Sequence, residues 1–346
     1  QRAPLPPEME PCLSRFASSM DSDHEAEGFQ TLGTFVLNTA ADEDAADLSI
    51  LIQSIATSCK YIANCVRKVG LAKPQLAGKA GNTNVQGEAQ EKLDVIAHEV
   101  FVKFLDQSRR CTVLVSEEKE EIIRCQPSPN GRYVCVFDPL DGSSNIVCAV
   151  SIGSIFGIYR AAERGVHRDG DTLQPGRDMV AAGYCMYGSS CNFVLTVGGQ
   201  VNGFTLDSSL GEFVLTHPNI TVPPSGSIYS INEGNSPWWE LGMAKYVEHV
   251  KRKEAPHSSR YIGSMVADVH RTLLYGGTFS YPADARHAAG KLRLLYECYP
   301  MAFVMEAAGG RASDGARRIL DIQPEHIHQR APIHMGSVQD VKEIER

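Results

Sequence analysis

The octapeptide Asp138-Pro139-Leu140-Asp141-Gly142-Ser143-Ser144-Asn145 concentrates the groups that phosphate chemistry needs. Two carboxylates lie three residues apart across a proline, and a glycine and two serines follow. Carboxylates at a strand end hold hard cations through oxygen. A Gly-Ser-Ser turn aims backbone N–H groups and hydroxyls at an anion. Taken alone, Asp, Pro and Gly are also the residues of an ordinary turn. A second acidic pair, Glu117-Glu118, ends the apolar run 111–115, about twenty residues earlier. By itself that pair, with Glu120 and Glu121 behind it, equally fits a solvated acidic turn. Two acidic strand ends together fit a divalent-metal site, to which Leu140 could add its carbonyl because Pro139 constrains the turn. Oxygen-only ligands suit Mg²⁺ or Mn²⁺ rather than zinc.

Enzymes accelerate phosphate-monoester hydrolysis by up to ~10²¹-fold, which demands a strong device. A cysteine nucleophile would need Arg six positions on, and none of the ten cysteines has one. An aspartyl nucleophile would need a second acid two positions on, and here the spacing is three. Metal-activated water needs converging carboxylates, and these are present. Bound cations would also reconcile a phosphate ligand with a chain of net charge −8.

The elements that must carry these groups are legible from periodicity. Leu48, Leu51, Ile52, Ile55, Cys59, Ile62, Val66 and Val69 follow helical spacing, with Gly70 at the end. Residues 77–87, rich in Gly, Asn and Thr, read as a flexible loop, and a second helix follows from Leu93 to Phe104. Strand-like runs cover 111–115, 133–137, 152–159, 179–187, 192–197, 201–206, 212–215 and 228–231. Helix is expected over 238–253, and in part over 260–275 and 291–308. This mixture predicts an α/β or α+β chain in layers. Residues 1–30, polar and proline-bearing, read as a mobile arm. Pro223-Pro224 separates a region 31–220 from a region 221–346.

The acidic balance argues against nucleic acid, and no apolar run nears the ~18 residues that span a bilayer. Ten cysteines without a Cys-x-x-Cys pair argue for reduced thiols and a cytoplasmic setting. An organelle of the glycosome or peroxisome kind is the alternative, if a terminal targeting signal was trimmed. His326, His328 and His334 read as scattered imidazoles of a loop, and Trp238-Trp239 as packing.

With these residues in view, the chain resembles the fructose-1,6-bisphosphatase family, within the wider sugar- and inositol-phosphatase superfamily. The resemblance rests on 113–118 (VLVSEE), 137–146 (FDPLDGSSNI), 156–160 (FGIYR), 173–177 (LQPGR), 260–271 (RYIGSMVADVHR), 291–298 (KLRLLYEC) and 328–332 (HQRAP). It implies a five-layer α-β-α-β-α fold, a homotetramer, and Mg²⁺-dependent release of the 1-phosphate of fructose 1,6-bisphosphate, in gluconeogenesis, with two or three cations per subunit. By motif match Glu117, Glu118, Asp138, the Leu140 carbonyl, Asp141 and Glu297 would hold metals. Asp94 and Glu118, with Glu88, would orient and deprotonate water. Gly142, Ser143 and Ser144 would meet the transferred phosphate. Asn232, Tyr261, Tyr281 and Lys291 would bind the sugar and its 6-phosphate, and Arg260 would reach that phosphate in a neighbouring subunit. Ala46, Asp47, Leu48 and Ser49, with Arg132, Tyr133 and Arg160, would form a site for the inhibitor AMP.

Three positions depart from the family pattern: Glu88 replaces Asp, Asn235 replaces a Tyr at the 6-phosphate, and Ala45–Ser49 alters the AMP segment. The span from Glu118 to Asp138 carries no added cysteine-bearing loop, which argues against the light-regulated plastid form. The alternatives are a sedoheptulose-bisphosphate or inositol-phosphate phosphatase and, in another class, a catalytically silent sugar-phosphate or nucleotide sensor.

Overall fold

The computed structural model describes residues 29–39, 45–69, 71, 79–83 and 89–346. The expected arm, apart from its last residues, and the expectations on Gly70 and Glu88 lie outside the described residues. Residues Thr31–Arg346 form one compact unit.

The strands, in chain order, are β1 (Lys79–Thr83), β2 (Ala89–Glu91), β3 (Cys111–Ser116), β4 (Ile123–Arg124), β5 (Tyr133–Asp141), β6 (Ile152–Arg160), β7 (Met179–Tyr187), β8 (Cys191–Val197), β9 (Gln200–Asp207) and β10 (Glu212–His217). Then come β11 (Ile228–Ser230), β12 (Ser258–Ser259), β13 (Thr278–Tyr281), β14 (Leu292–Arg293), β15 (Arg311–Ser313), β16 (Arg330–Ala331) and β17 (Ile333–Gly336). An eight-stranded sheet has the order β10-β9-β8-β7-β6-β5-β3-β4, and a five-stranded sheet the order β12-β11-β13-β17-β15. The fold is mixed α/β. In the larger sheet β3 and β5 run parallel, so Ser116 lies beside Phe137 and both acidic segments leave at the same edge.

Both faces of the large sheet are covered at its centre, which is why β5 and β6 are buried along almost their whole length. Val113, Val115, Val134 and Val136 face one core. Leu114, Tyr133, Cys135 and Phe137 face the other, as the two-residue pleat requires. The helices Ala45–Lys68 and Lys92–Ser108 close the second core, burying the predicted Leu48, Leu51, Ile52, Ile55, Cys59 and Ile62. The helices Met265–Tyr275 and Tyr299–Ala307 pack on the first. The helix Leu241–Lys251 covers the smaller sheet, with Met243, Val247 and Val250 against Tyr229 and Ile231.

Three expectations change. Residues 79–83 and 89–91, read partly as flexible loop, pair as an antiparallel strand couple, Lys79 beside Glu91 and Thr83 beside Ala89. Such pairing uses main-chain bonds, which a Gly/Asn-rich composition does not advertise. The helix expected from Trp238 starts at Leu241, because Trp238 accepts a hydrogen bond from Ala285 N–H and Trp239 bridges to Asp284. The segment 291–308 divides into β14, a π-helical turn Leu294–Cys298 and the α-helix Tyr299–Ala307.

The histidines serve structure: His334 is buried in β17 with Ser280 Oγ 3.0 Å away, and His328 meets Tyr296 Oη at 2.8 Å. Trp239 packs against the core of the smaller sheet, and Trp238 packs against a side chain. Trp238 is partly exposed, and the Arg286 guanidinium stacks 3.7 Å over its ring centroid. All nine described cysteines are free thiols. Among the described residues no helix is long and apolar enough to cross a membrane.

Candidate metal and phosphate site

In a regular strand, residues three apart point to opposite faces. Asp138 and Asp141 escape that rule through a bulge: Asp138 pairs with Ile155 and Asp141 with Gly153, so β5 spends one residue more than β6. The extra residue resets the parity and turns both carboxylates to one side. Pro139, which has no N–H to donate, fits such a break, and its carbonyl accepts the Ser154 hydroxyl at 2.7 Å. Asp138 Oδ1 accepts the Leu140 N–H at 2.9 Å, which tightens the bend.

A cavity of about 450 Å³ opens at this bend. It brings together thirteen of the expected site residues: Asp94, Glu117, Glu118, Asp138, Leu140, Asp141, Gly142, Ser143, Ser144, Tyr261, Tyr281, Lys291 and Glu297. Glu117 and Glu118 arrive on the end of β3, with Glu117 N–H bonded to Phe137 O at 3.2 Å. Asp94 arrives in the first turn of the helix Lys92–Ser108. Glu297 arrives from the π-helical turn, a form common at functional sites. Gly142 adopts φ +77°, and a Cβ there would meet Ser264 Oγ at 2.9 Å, so glycine alone lets the phosphate turn pass the next loop. Ser264 Oγ and Val266 N–H hold Asp141 at 3.3 and 3.0 Å.

Asp138, Asp141 and Glu297 offer carboxylate oxygens all within 4.8 Å of one another. Burial, then the carboxylates of Glu117, Asp141 and Glu297, pushes Asp138 well above the usual carboxylate range. Burial chiefly raises Asp141 to about 6, with Val266 N–H opposing and Glu117 adding. Burial also raises Glu297 to about 8, against the pull of Arg293. Buried, mutually repelling, oxygen-only donors are what a hard divalent cation requires and zinc does not prefer. The cluster therefore fits divalent-cation binding, and Asp138, Asp141 and Glu297, with Glu117 beside them, are the residues to hold it.

Two charged residues of this cavity carried no sequence-based assignment. Arg293 lies buried among the carboxylates, its Nη2 3.0 Å from Glu117 Oε1 and its Nη1 3.9 Å from Glu297 Oε2. Its N–H also donates to Glu297 at 2.6 Å. In sequence Arg293 stands between the assigned Lys291 and Glu297, four positions before the latter, but its contact with Glu117 has no local sign. Asp268, buried on the cavity wall, is the other.

Two expected substrate residues lie outside the main cavity lining. Asn232 lines a shallow adjoining depression that shares Tyr281. Arg260 is exposed, its Nη1 donating to Ser259 O at 2.8 Å. Asn235 accepts a hydrogen bond from Arg286 Nη2 at 2.8 Å.

The expected nucleotide segment lies at the start of the helix Ala45–Lys68. There Asp47 draws three arginines: Arg110 at 2.7 Å, Arg164 at 3.5 Å and Arg132 at 3.9 Å. Arg110 and Arg164 had not been expected. The side chains of Leu48, Ser49 and Tyr133 are buried, and Ala46 and Arg160 are exposed.

Known proteins match this chain closely. Residues 30–218 match the family model described as fructose-1-6-bisphosphatase, N-terminal domain, and residues 222–346 match its C-terminal domain. The cytosolic fructose-1,6-bisphosphatase of Oryza coarctata is 56% identical over 331 residues, covering 93% of this chain and 96% of that protein. That of Arabidopsis thaliana is 55% identical over 331 residues, covering 93% and 96%. The crystal structure of Leishmania major fructose-1,6-bisphosphatase in holo form superposes with a TM-score of 0.87 at 45% identity, covering 91% of this chain and 98% of that one. With the carboxylate cluster, the phosphate turn and both family models on one chain, the chain belongs to the fructose-1,6-bisphosphatase family.

Proposed function

We propose that the chain hydrolyses fructose 1,6-bisphosphate to fructose 6-phosphate and phosphate, as a step of gluconeogenesis. The observation that carries this reading is the convergence of Asp138, Asp141 and Glu297 beside the Gly142–Ser144 turn. The cation supplies charge neutralisation and water activation. The chain's own residues do the rest. Asp138, Asp141, Glu117, Glu118, Glu297 and the Leu140 carbonyl hold two or three Mg²⁺, or Mn²⁺. Gly142, Ser143 and Ser144 hold the transferred phosphate. Asp94 and Glu118, with Glu88, orient the attacking water and take its proton.

The unreacting phosphate needs positive charge and planar multi-donor contacts. Lys291, Tyr261, Tyr281 and Asn232 supply part of that, and Arg260 of a neighbouring subunit the remainder, so a homotetramer completes the site. This pocket favours a sugar bisphosphate over inositol monophosphate. Within it, 31–220 carries the metal site apart from Glu297, and 221–346 carries Glu297 and the sugar-phosphate wall, in a five-layer α-β-α-β-α arrangement. The cytosolic plant relatives support a cytoplasmic location. AMP inhibits by binding at the helix start near Asp47, through Ala46–Ser49, Arg132, Tyr133 and Arg160.

Phosphate release with Mg²⁺ from fructose 1,6-bisphosphate, sedoheptulose 1,7-bisphosphate and inositol monophosphate tests the reading. Turnover of the first is expected to dominate, and Glu118→Gln to abolish most of it. No turnover of the first sinks the function, and full turnover in Glu118→Gln sinks the mechanism.

A further inference from the structure

The stretch 260–271 contributes Arg260 and Tyr261 to the proposed pocket, yet its most buried charge belongs to neither. Asp268 is fully buried. Its Oδ1 accepts hydrogen bonds from Ser230 Oγ at 2.8 Å, Arg271 Nη2 at 2.9 Å and Ile262 N–H at 3.0 Å. Its Oδ2 accepts from Ile262 N–H and Gly263 N–H, both at 3.0 Å. A buried carboxylate is tolerated only when donors surround it, and here three separate segments provide them.

We infer that Asp268 is a positioning residue that sets the cavity wall against which the substrate's sugar and unreacting phosphate rest. Ser230 ends β11 two residues before Asn232. Ile262 and Gly263 follow Arg260 and Tyr261 directly, and Gly263 at φ +84° lets successive N–H groups converge on one carboxylate. Arg271 donates through Nη2 both to Asp268 and to Arg260 O, the latter at 2.7 Å. One charge therefore ties together the supports of Asn232, Arg260 and Tyr261. The Asn145 side chain donates to Gly263 O at 3.0 Å, so the same loop is registered against the phosphate turn. The metal-holding carboxylates come from the end of β3, from β5 and from the π-helical turn, and Asp141 touches the 260–271 stretch through Ser264 Oγ and Val266 N–H rather than through the donors of Asp268. The inference rests on the reading of Asn232, Arg260 and Tyr261 as substrate contacts.

An amide at position 268 has one acceptor oxygen and brings donors of its own, so Asp268→Asn leaves buried N–H groups facing N–H groups. Steady-state kinetics at saturating Mg²⁺ for Asp268→Asn, Ser230→Ala, Ser230→Thr and Lys291→Ala, with melting temperatures alongside, test the inference. Asp268→Asn is expected to raise KM about tenfold or more with kcat within about threefold. Ser230→Ala, which deletes one bond, is expected to raise KM about two- to fivefold, and Ser230→Thr to restore it. Should Asp268→Asn not fold, the serine pair decides alone. A lower melting temperature with unchanged KM in Ser230→Ala assigns Asp268 to stability only and overturns the inference. If Lys291→Ala also leaves KM unchanged, it is the reading of the pocket that fails. If Lys291→Ala raises KM and the Asp268 and Ser230 variants do not, the positioning role alone falls.

Discussion

The Arg293 guanidinium stands 3.0 Å from the Glu117 carboxylate, inside the cluster of acids that a cation would neutralise. Both partners are largely buried, with side-chain exposures of 4% and 11%. Arg293 therefore acts as an internal counter-charge, and a cation held by Asp138, Asp141 and Glu297 would share Glu297 with it. Removing one partner of a buried pair costs about 3–5 kcal/mol, because the other charge is left uncompensated. Arg293→Met is expected to lower the melting temperature in EDTA sharply. It is also expected to enlarge the gain in melting temperature on adding Mg²⁺, with half-saturation at lower metal. An Mg²⁺ response identical to wild type would show that the guanidinium and the cation do not compete.

The raised carboxyls make metal-free stability depend on pH. Asp141 and Glu297 move from ordinary values of 3.8 and 4.5 to about 6 and about 8 in the folded chain. The folded state then binds more protons than the unfolded one between roughly pH 4 and 8. Their contribution is fully present below the unfolded values and is lost as pH rises through the folded ones. Melting in EDTA is expected to weaken steadily from about pH 5 to 8 on this account. Cation binding must expel the same protons, so Mg²⁺ affinity is expected to rise over that window. Calorimetric titration of Mg²⁺ at several pH values, read for proton release, checks the sign. Proton uptake on binding would contradict it.

Gly142→Ala separates backbone shape from side-chain chemistry. A residue with a Cβ at φ +77° is strained by about 1–2 kcal/mol, and the added atom meets Ser264 Oγ at 2.9 Å. Ser264 in turn holds Asp141. The expected outcome is a fall in kcat of about a hundredfold with a modest loss of melting temperature. Retention of wild-type kcat would mean that the turn tolerates a wider path than the structure describes.

Asp47 lies among Arg110, Arg132 and Arg164, at the helix start proposed above for the phosphate of AMP. Neutralising it removes one anion from their midst. Asp47→Asn is expected to tighten inhibition by AMP about two- to tenfold without altering KM for substrate. Weaker inhibition would instead make Asp47 a structural support of the helix start.

Much of this site was readable before any coordinates, for a physical reason. Asp138 to Ser144 and Glu117-Glu118 are contiguous at strand ends, and strand ends are marked by apolar runs that stop. The helix Ala45–Lys68 was readable because its buried face repeats. What escaped depends on geometry between distant segments. Arg293 could be taken for one more exposed cation until the fold set it beside Glu117, 176 positions earlier in the chain. Asp268 matters through Ser230, 38 positions away, which no local pattern announces. The pairing of β1 with β2 escaped because main-chain bonds leave no trace in side-chain type.

The π-helical turn Leu294–Cys298 adds a constraint of a different kind. A π turn accommodates one residue more than an α turn, and each helical residue advances the side chain by ~100°. Shortening Leu294–Cys298 by a single residue would wind it into ordinary α-helix. Glu297 would then swing off the cluster, or the apolar stripe of Tyr299–Ala307 would rotate away from the large sheet. Chain length between 292 and 299 is thus under the same restriction as residue identity. A substitution scan of this segment would find tolerant positions where a deletion scan finds none.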